Sequence, residues 1–137
     1  MDDVALTKII CGELGAIAGW AWRENGPVYT ADEVAVFYGT LGTGPDKAAG
    51  VRVYGTTDER FLGWRRVQLR LRGGPGRPDG ADALSTPSFA ALHGLSRMGG
   101  ISSISRESMA PAGADDNRRE MRTENYLIIL DNLEALT

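Results

Sequence analysis

Cysteine and histidine, two common metal ligands and catalytic residues, are scarce in this chain of 137 residues. There is one cysteine, Cys11, and one histidine, His93. The single cysteine excludes an intrachain disulfide and a cysteine-clustered metal site, and the single histidine excludes a poly-histidine site. No apolar stretch approaches the roughly 20 residues of a membrane span. The first residues include Asp2 and Asp3 instead of a basic segment, so we expect no signal peptide.

Lysine is scarce too, because the cationic residues are thirteen arginines and only Lys8 and Lys47. The net charge of −3 and the pI of about 5.1 argue against a general nucleic-acid binder. Arginine-rich composition is typical of a GC-rich genome, and also of directed, bidentate contacts between protein surfaces. The length fits a single domain, residues 1–137, that needs no metal or disulfide to stabilise its core.

Two segments have helical hydrophobic spacing. Residues 2–19 are predicted to form a helix that Asp2 or Asp3 caps and Gly19 ends, with Cys11 as a packing residue. Residues 79–93 are predicted to form a second helix, kinked or split at Pro87.

Alternating hydrophobic residues predict the strands. Val51 and Val53, and then Val67, Leu69 and Leu71, are expected to face the helices. The expected strands are residues 34–38, 49–54, 65–72, 100–109 and 119–130, and an extended stretch places Trp20 and Trp22 on one face. Residues 55–63 and 110–117 are expected to be turns or loops, and residues 131–137 a loose end. We therefore predict an α+β fold, with a mostly antiparallel sheet of four to five strands and two helices packed on one face.

Four successive apolar residues, 127–130, indicate a central strand buried on both faces. Either Leu127 and Ile129 or their neighbours Ile128 and Leu130 are expected to complete the core. A partner subunit could cover the other pair.

The motifs that would carry chemistry are absent or incomplete. Residues 42–47 depart from a phosphate-binding loop because Asp46 precedes Lys47 and Ala48 follows it. The carboxylate pairs 58–59 and 115–116 lack the ligand spacing of a calcium loop. We expect no catalytic residue, metal site or cofactor. A small hydrolase that uses His93 with a serine, and a dimeric binding module of a host cell, are the alternatives from other classes.

The most distinctive pattern is a row of arginines, Arg66, Arg70 and Arg72, on the strand face opposite the apolar residues, with Arg52 on the neighbouring strand. Like charges on one face repel and are costly without partners. Water and counter-ions could screen them, or carboxylates of another copy could pair with them, and a lumen that faces DNA is a second placement. The candidate subunit-interface residues are Arg52, Arg66, Arg70, Arg72, Trp20, Trp22, Asp115 and Asp116.

Five segments, taken in this order, resemble a known family. They are VRVYGTTD (51–58), WRRVQLRLRG (64–73), PDGADAL (78–84), FAALHGL (89–95), and GADDNRR (113–119) running into NYLIIL (125–130). The chain resembles small minor capsid or tail terminator proteins encoded in the structural modules of tailed actinobacterial phages. The resemblance covers about residues 50–131, and none of its motifs is catalytic.

The resemblance implies a structural virion protein of a long-tailed bacteriophage, with no enzymatic activity and no cofactor. Such a protein would form a hexameric ring at the head-proximal end of the tail tube, stop tube polymerisation and join the tail to the head. The implied partners are further copies of the chain, the tail tube protein, connector or neck proteins, and DNA that passes through the lumen without sequence-specific binding. No membrane is implied, and the implied location is the virion, with host cytoplasm during assembly. A head–tail connector or neck protein of the same virion is the alternative.

Overall fold

The computed structural model describes residues 1–131, which form two helices and six strands. In chain order the elements are α1 (Asp3–Gly15), β1 (Trp20–Trp22), β2 (Val34–Tyr38), β3 (Ala48–Asp58), β4 (Leu62–Pro75), α2 (Gly80–Leu92), β5 (Ile101–Ala114) and β6 (Arg119–Asp131). The predicted α+β class is confirmed. The predicted loose end, residues 131–137, lies outside the described residues except for Asp131, which ends β6.

The six strands form one sheet in the order β1-β2-β3-β4-β6-β5. The pairings from β3 to β5 are antiparallel, whereas β1 pairs with β2 and β2 with β3 in parallel. The prediction of a mostly antiparallel sheet holds, but four to five strands was too few. The short segment Trp20–Trp22 is itself an edge strand, which a three-residue hydrophobic pattern does not reveal.

Both hairpins are longer than the sequence predicted. β3 and β4 pair out to Asp58 and Gly63, so most of residues 55–63 continue the strands. β5 and β6 pair out to Ala114 and Glu120, so residues 110–114 are strand instead of loop. Both segments were predicted as turns or loops because they contain polar residues and glycines. They nevertheless pair as strands, since strands that extend beyond the core need no buried face.

The core lies between the two helices and one face of the sheet. Val51, Val67, Leu69 and Leu71 are buried there and Val53 packs at the margin, as predicted. On β6 it is Ile128 and Leu130 that enter the core, while Leu127 and Ile129 point to the opposite face and are half-buried. The alternation therefore settles which of the two possible pairs completes the core.

The first helix begins where predicted and ends earlier. The carboxylate of Asp2 accepts the backbone N–H of Ala5 at 2.8 Å and caps α1. The helix ends at Gly15, four residues before Gly19, because β1 crosses there: a Cβ on Gly15 would lie 2.6 Å from that of Trp22. Cys11 is buried, as its predicted packing role requires, and burial raises the pKa of its thiol to about 12.

The second helix runs unbroken from Gly80 to Leu92 with Pro87 inside it, so the predicted kink or split does not divide it into two helices. Its first turn lies directly on β4 at two glycines. A Cβ on Gly73 would overlap the Cα and carbonyl carbon of Gly80 and lie 2.6 Å from the Ala81 nitrogen. The contact is backbone against backbone, so no side chain can move aside.

We predict that Gly73→Ala will lower the free energy of unfolding by about 1–3 kcal/mol, because the added methyl group forces α2 away from β4. The adjacent Gly74→Ala is the matched control, since nothing lies within 4 Å of its added Cβ. Urea denaturation followed by circular dichroism measures both. Equal midpoints for the two variants would contradict the close contact.

Candidate functional site

The sheet face opposite the helices, here called the open face, carries most of the candidate residues. The register places the side chains of β3, β4 and β6 on it in cross-strand rows. Among the described residues this face includes Arg52, Arg66, Gln68, Arg70, Arg72, Thr123, Asn125, Leu127 and Ile129. Because α1 and α2 lie on the other side, no helix within residues 1–131 covers it.

The arginines of the open face have different environments. Arg66 is exposed and pairs with Glu107 of β5 at 3.0 Å. Arg52 is exposed and its guanidinium lies 5.9 Å from the ring centroid of Tyr38. Arg70 is exposed and bonds to no described residue. The ion pair of Arg66 with Glu107 therefore reduces the repulsion within the row. Arg52 and Arg70 have no carboxylate partner among residues 1–131.

Arg72 is the exception because it is only 4% exposed. Its Nε donates to the carbonyl of Asp46 at 2.8 Å and its Nη2 donates to that of Pro45 at 2.8 Å. Burial lowers the pKa of Arg72, and the nearby charge of Arg119 lowers it further. Both arginines bind the segment 39–47, here called the crossover loop, since Arg119 donates to the carbonyl of Thr43 at 2.8 Å.

The two acidic candidates also differ from each other. Asp115 accepts the backbone N–H groups of Asn117 and Arg119 at 3.0 Å each and pairs with the Arg119 Nε at 2.8 Å. These bonds, led by the backbone N–H of Arg119, hold the pKa of Asp115 below its usual value. Asp116 is exposed and bonds to no described residue. Asp115 and Arg72 thus form their bonds within the chain, and their role in a subunit interface stays a prediction.

Trp20 and Trp22 lie on the edge strand β1, half-buried, and both pack against the core. Trp22 also borders a groove with Tyr29, Phe37 and Tyr38. The core-edge interpretation of the two tryptophans is therefore confirmed, and their role in an interface stays a prediction. Nothing in the described residues shows what covers the exposed parts of these rings.

The open face holds a concave site, here called the arginine pocket, of about 350 Å³. It is lined by Gly39, Thr40, Leu41, Gly50, Arg52, Gln68, Arg70, Arg72 and Met121. Its floor is backbone, because a Cβ on Gly50 would overlap the carbonyl oxygen of Gly39 and lie 2.9 Å from Leu41 Cδ2. Two exposed guanidiniums over a backbone floor form a site whose chemistry suits carboxylates.

A buried polar cluster on the helix face was missed by the sequence analysis. Glu124 is fully buried and accepts hydrogen bonds from Ser85 Oγ, Arg122 Nε at 2.7 Å and Tyr126 Oη at 3.3 Å. Arg106 Nη1 lies 3.5 Å from the same carboxylate. The strand alternation could have revealed this cluster. Glu124 lies on the same strand face as Tyr126 and Ile128, so its side chain points into the core.

This cluster ties α2 to β5 and β6. The carboxylate of Glu124 joins Ser85 of α2 to arginines of both strands. Burial raises the pKa of Tyr126, and the charge of Glu124 raises it further. The groups neutralise and satisfy one another, as buried charges require.

His93 caps the C-terminus of α2, as its position suggested. Its Nδ1 accepts the backbone N–H of Arg106 at 3.1 Å and its ring stacks on Phe89 with centroids 4.4 Å apart. Within residues 1–131 no hydrogen bond joins His93 to a serine hydroxyl or a carboxylate. The contacts of the imidazole favour a structural role over that of a hydrolase base.

The described residues hold no group of three or more histidine, cysteine, aspartate or glutamate side chains placed to bind a metal ion. Over the same part of the chain, neither helix is long and apolar enough to cross a membrane.

The structure is thus an α+β scaffold in which no helix within residues 1–131 covers the arginine-bearing face of the sheet. The family model described as bacteriophage tail terminator protein matches residues 6–132. The chain therefore belongs to the bacteriophage tail terminator family, as the resemblance predicted, and it is a structural protein of the phage virion. No curated protein matches the chain.

We predict that Arg72→Ala will lower the free energy of unfolding by about 2–4 kcal/mol, because two charge-assisted hydrogen bonds to the crossover loop are lost. The matched control is Arg70→Ala on the same strand face, which should change it by less than about 0.5 kcal/mol. Denaturation at low protein concentration compares the two. Similar losses would show that Arg72 is not fixed to the loop.

We predict that Glu124→Ala will destabilise the fold by about 3–5 kcal/mol, because it leaves Arg106 and Arg122 without their shared carboxylate. The control is Glu107→Gln, which removes the exposed pair with Arg66 and should cost at most about 1 kcal/mol. Thermal unfolding measures both variants. A Glu124 variant as stable as the control would mean that the cluster contributes little.

Proposed function

We propose that this chain forms a hexameric ring at the head-proximal end of the tail tube, where it stops tube polymerisation and joins the tail to the head connector. The observation that carries the proposal is the family match over residues 6–132. The partners are other copies of the chain, the tail tube protein and connector or neck proteins, and DNA passes through the lumen. The role is structural and includes no catalytic step.

Dimensions support a ring. A domain of this length has a radius of gyration of about 14 Å, and six such bodies in contact leave a lumen on the order of 20–30 Å. Duplex DNA can pass through that opening. The net charge of −3 suits a channel in which DNA slides without adhering.

The uncovered face of the sheet also supports assembly. Arg52 and Arg70 have no carboxylate partner among the described residues, and Leu127 and Ile129 remain half-exposed farther along the same face. A ring of head-to-tail contacts brings such a face against a different surface of the next subunit. The same contact would compensate the free charges and remove the apolar groups from water.

A connector or neck protein of the same virion is the remaining alternative, and loss of the chain separates the two roles. Phage that lack this chain should assemble tubes of uncontrolled, excessive length without heads, because nothing stops polymerisation. Electron microscopy of the lysates measures tube length. Expression of the chain from a plasmid should restore normal tails.

Tubes of normal length that fail to join heads would instead assign the chain to the neck. The copy number and position of the chain in a map of the virion give an independent check. Six copies at the top of the tail tube are expected.

A further inference from the structure

We infer that the outer part of the β5–β6 hairpin, residues 107–123 and here called the arm, docks into the arginine pocket of a second copy of this chain. The inference rests on the ring proposed above and specifies the contact that closes it. Each subunit offers one arm and one pocket.

The outer edge of β5 changes character halfway along the strand. Over its first half, the backbone N–H of Gly94 donates to the Ile104 carbonyl at 2.8 Å, and that of Ile104 donates to the Leu95 carbonyl at 3.0 Å. Beyond Arg106, residues 107–114 are all exposed, and no other segment within residues 1–131 pairs with their outer side. The described residues therefore cover only the first half of this edge.

The exposed half of β5 is only partly protected as an edge strand. Residues 108–114, Ser-Met-Ala-Pro-Ala-Gly-Ala, carry no charge, although 24% of the chain is charged. In natural proteins, charged side chains commonly prevent an edge strand from pairing with another chain. In this segment only Pro111 and the β-bulges of the strand oppose such pairing. Met109 is exposed at 42%. An uncharged, partly apolar edge is the kind of surface that a protein interface covers.

The charges of arm and pocket are complementary. In the pocket, Arg52 and Arg70 are exposed and have no carboxylate partner among the described residues. Two carboxylates of the arm, Asp116 and Glu120, form no ion pair within residues 1–131. Only one guanidinium of the arm, Arg118, is likewise unpaired there. The tip carboxylate of Asp116 can therefore reach two cations that the neighbouring subunit leaves free.

The positions of the two surfaces set the symmetry of the contact. The exposed half of β5 lies at one edge of the sheet, whereas the pocket lies over β3 and β4 and is bordered by Met121 of β6. Since residues 119–123 of β6 pair with β4 of their own chain, the arm presents its outer β5 edge and its tip, residues 115–118, to a neighbouring copy. A contact between two different surfaces is head-to-tail and generates a ring when the rotation closes.

Disulfide trapping in assembled phage tests the contact. Arg70→Cys and Asp116→Cys are introduced together, and Cys11 is retained because it is buried and the pKa of its thiol is about 12. After oxidation, a non-reducing gel should show a ladder of linked chains up to six chain masses. Either cysteine alone can give nothing larger than a dimer. The matched control combines Asp116→Cys with Val28→Cys, a loop residue that is 90% exposed, and should give at least tenfold less of the ladder.

Two outcomes overturn different claims. If each particle holds six copies but the ladder is no stronger than in the Val28 control, the arm contact is wrong and the ring stands. If the copy number is not six and tails form normally without the chain, the proposed function itself fails.

A charge exchange gives a second readout. Arg70→Asp and Asp116→Arg should each reduce the yield of joined particles at least tenfold, because each places like charges together. The double variant should recover to within twofold of the wild type. A double variant no better than either single variant would overturn the pairing of Asp116 with Arg70.

Discussion

The constraint on which the architecture depends is the parallel pairing of β2 with β3. Two parallel neighbours require a connection that returns to the start of the sheet, and a helix usually supplies it. Here the crossover loop, residues 39–47, makes the return with no helix and lies against the open face instead of the helix face. The helices are left free to cover the opposite side, where the core forms.

A loop laid on a sheet exposes carbonyl groups that no strand satisfies. Arg72 and Arg119 solve this problem, since their guanidiniums donate to carbonyls of Thr43, Pro45 and Asp46. Arginine suits the task because it keeps its charge when buried and presents several donors in a fixed plane. Gly39 and Gly50 have no side chains, so the backbone of the crossover loop can lie directly on the backbone of β3. The arginine pocket of the open face is a consequence of this packing.

The sequence predicted the elements that carry a periodic hydrophobic pattern. Both helices, the core face of β3 and β4 and the class of the fold follow from positions such as Val67, Leu69 and Leu71. The parallel strand β1 and the extent of the hairpins did not follow, because three residues show no period and an exposed ladder needs no apolar face. Pairing of that kind is decided by the neighbouring strand, which a local pattern does not contain.

The candidate site was predicted only in part, because a local sequence pattern does not contain long-range contacts. Strand parity correctly placed Arg66, Arg70 and Arg72 on one face, but parity does not tell whether a loop covers that face. Three arginines on one face therefore have three environments: Arg72 is buried under a loop, Arg66 pairs with Glu107, and Arg70 bonds to no residue within 1–131. Only contacts distant in sequence make this distinction.

The distribution of arginine connects the fold to assembly. Where a guanidinium is buried, as in Arg65, Arg72 and Arg119, the subunit supplies its own acceptors and the charge stabilises the monomer. Where it is exposed on the open face and unpaired, its charge adds nothing to the stability of the monomer and repels its neighbours. The net charge of −3 means that acidic side chains outnumber basic ones, so carboxylates are available to pair with such positions. Among the described residues, the arginines that stabilise the fold are thus the buried ones, while Arg52 and Arg70 carry the charges that the ring proposed above would compensate.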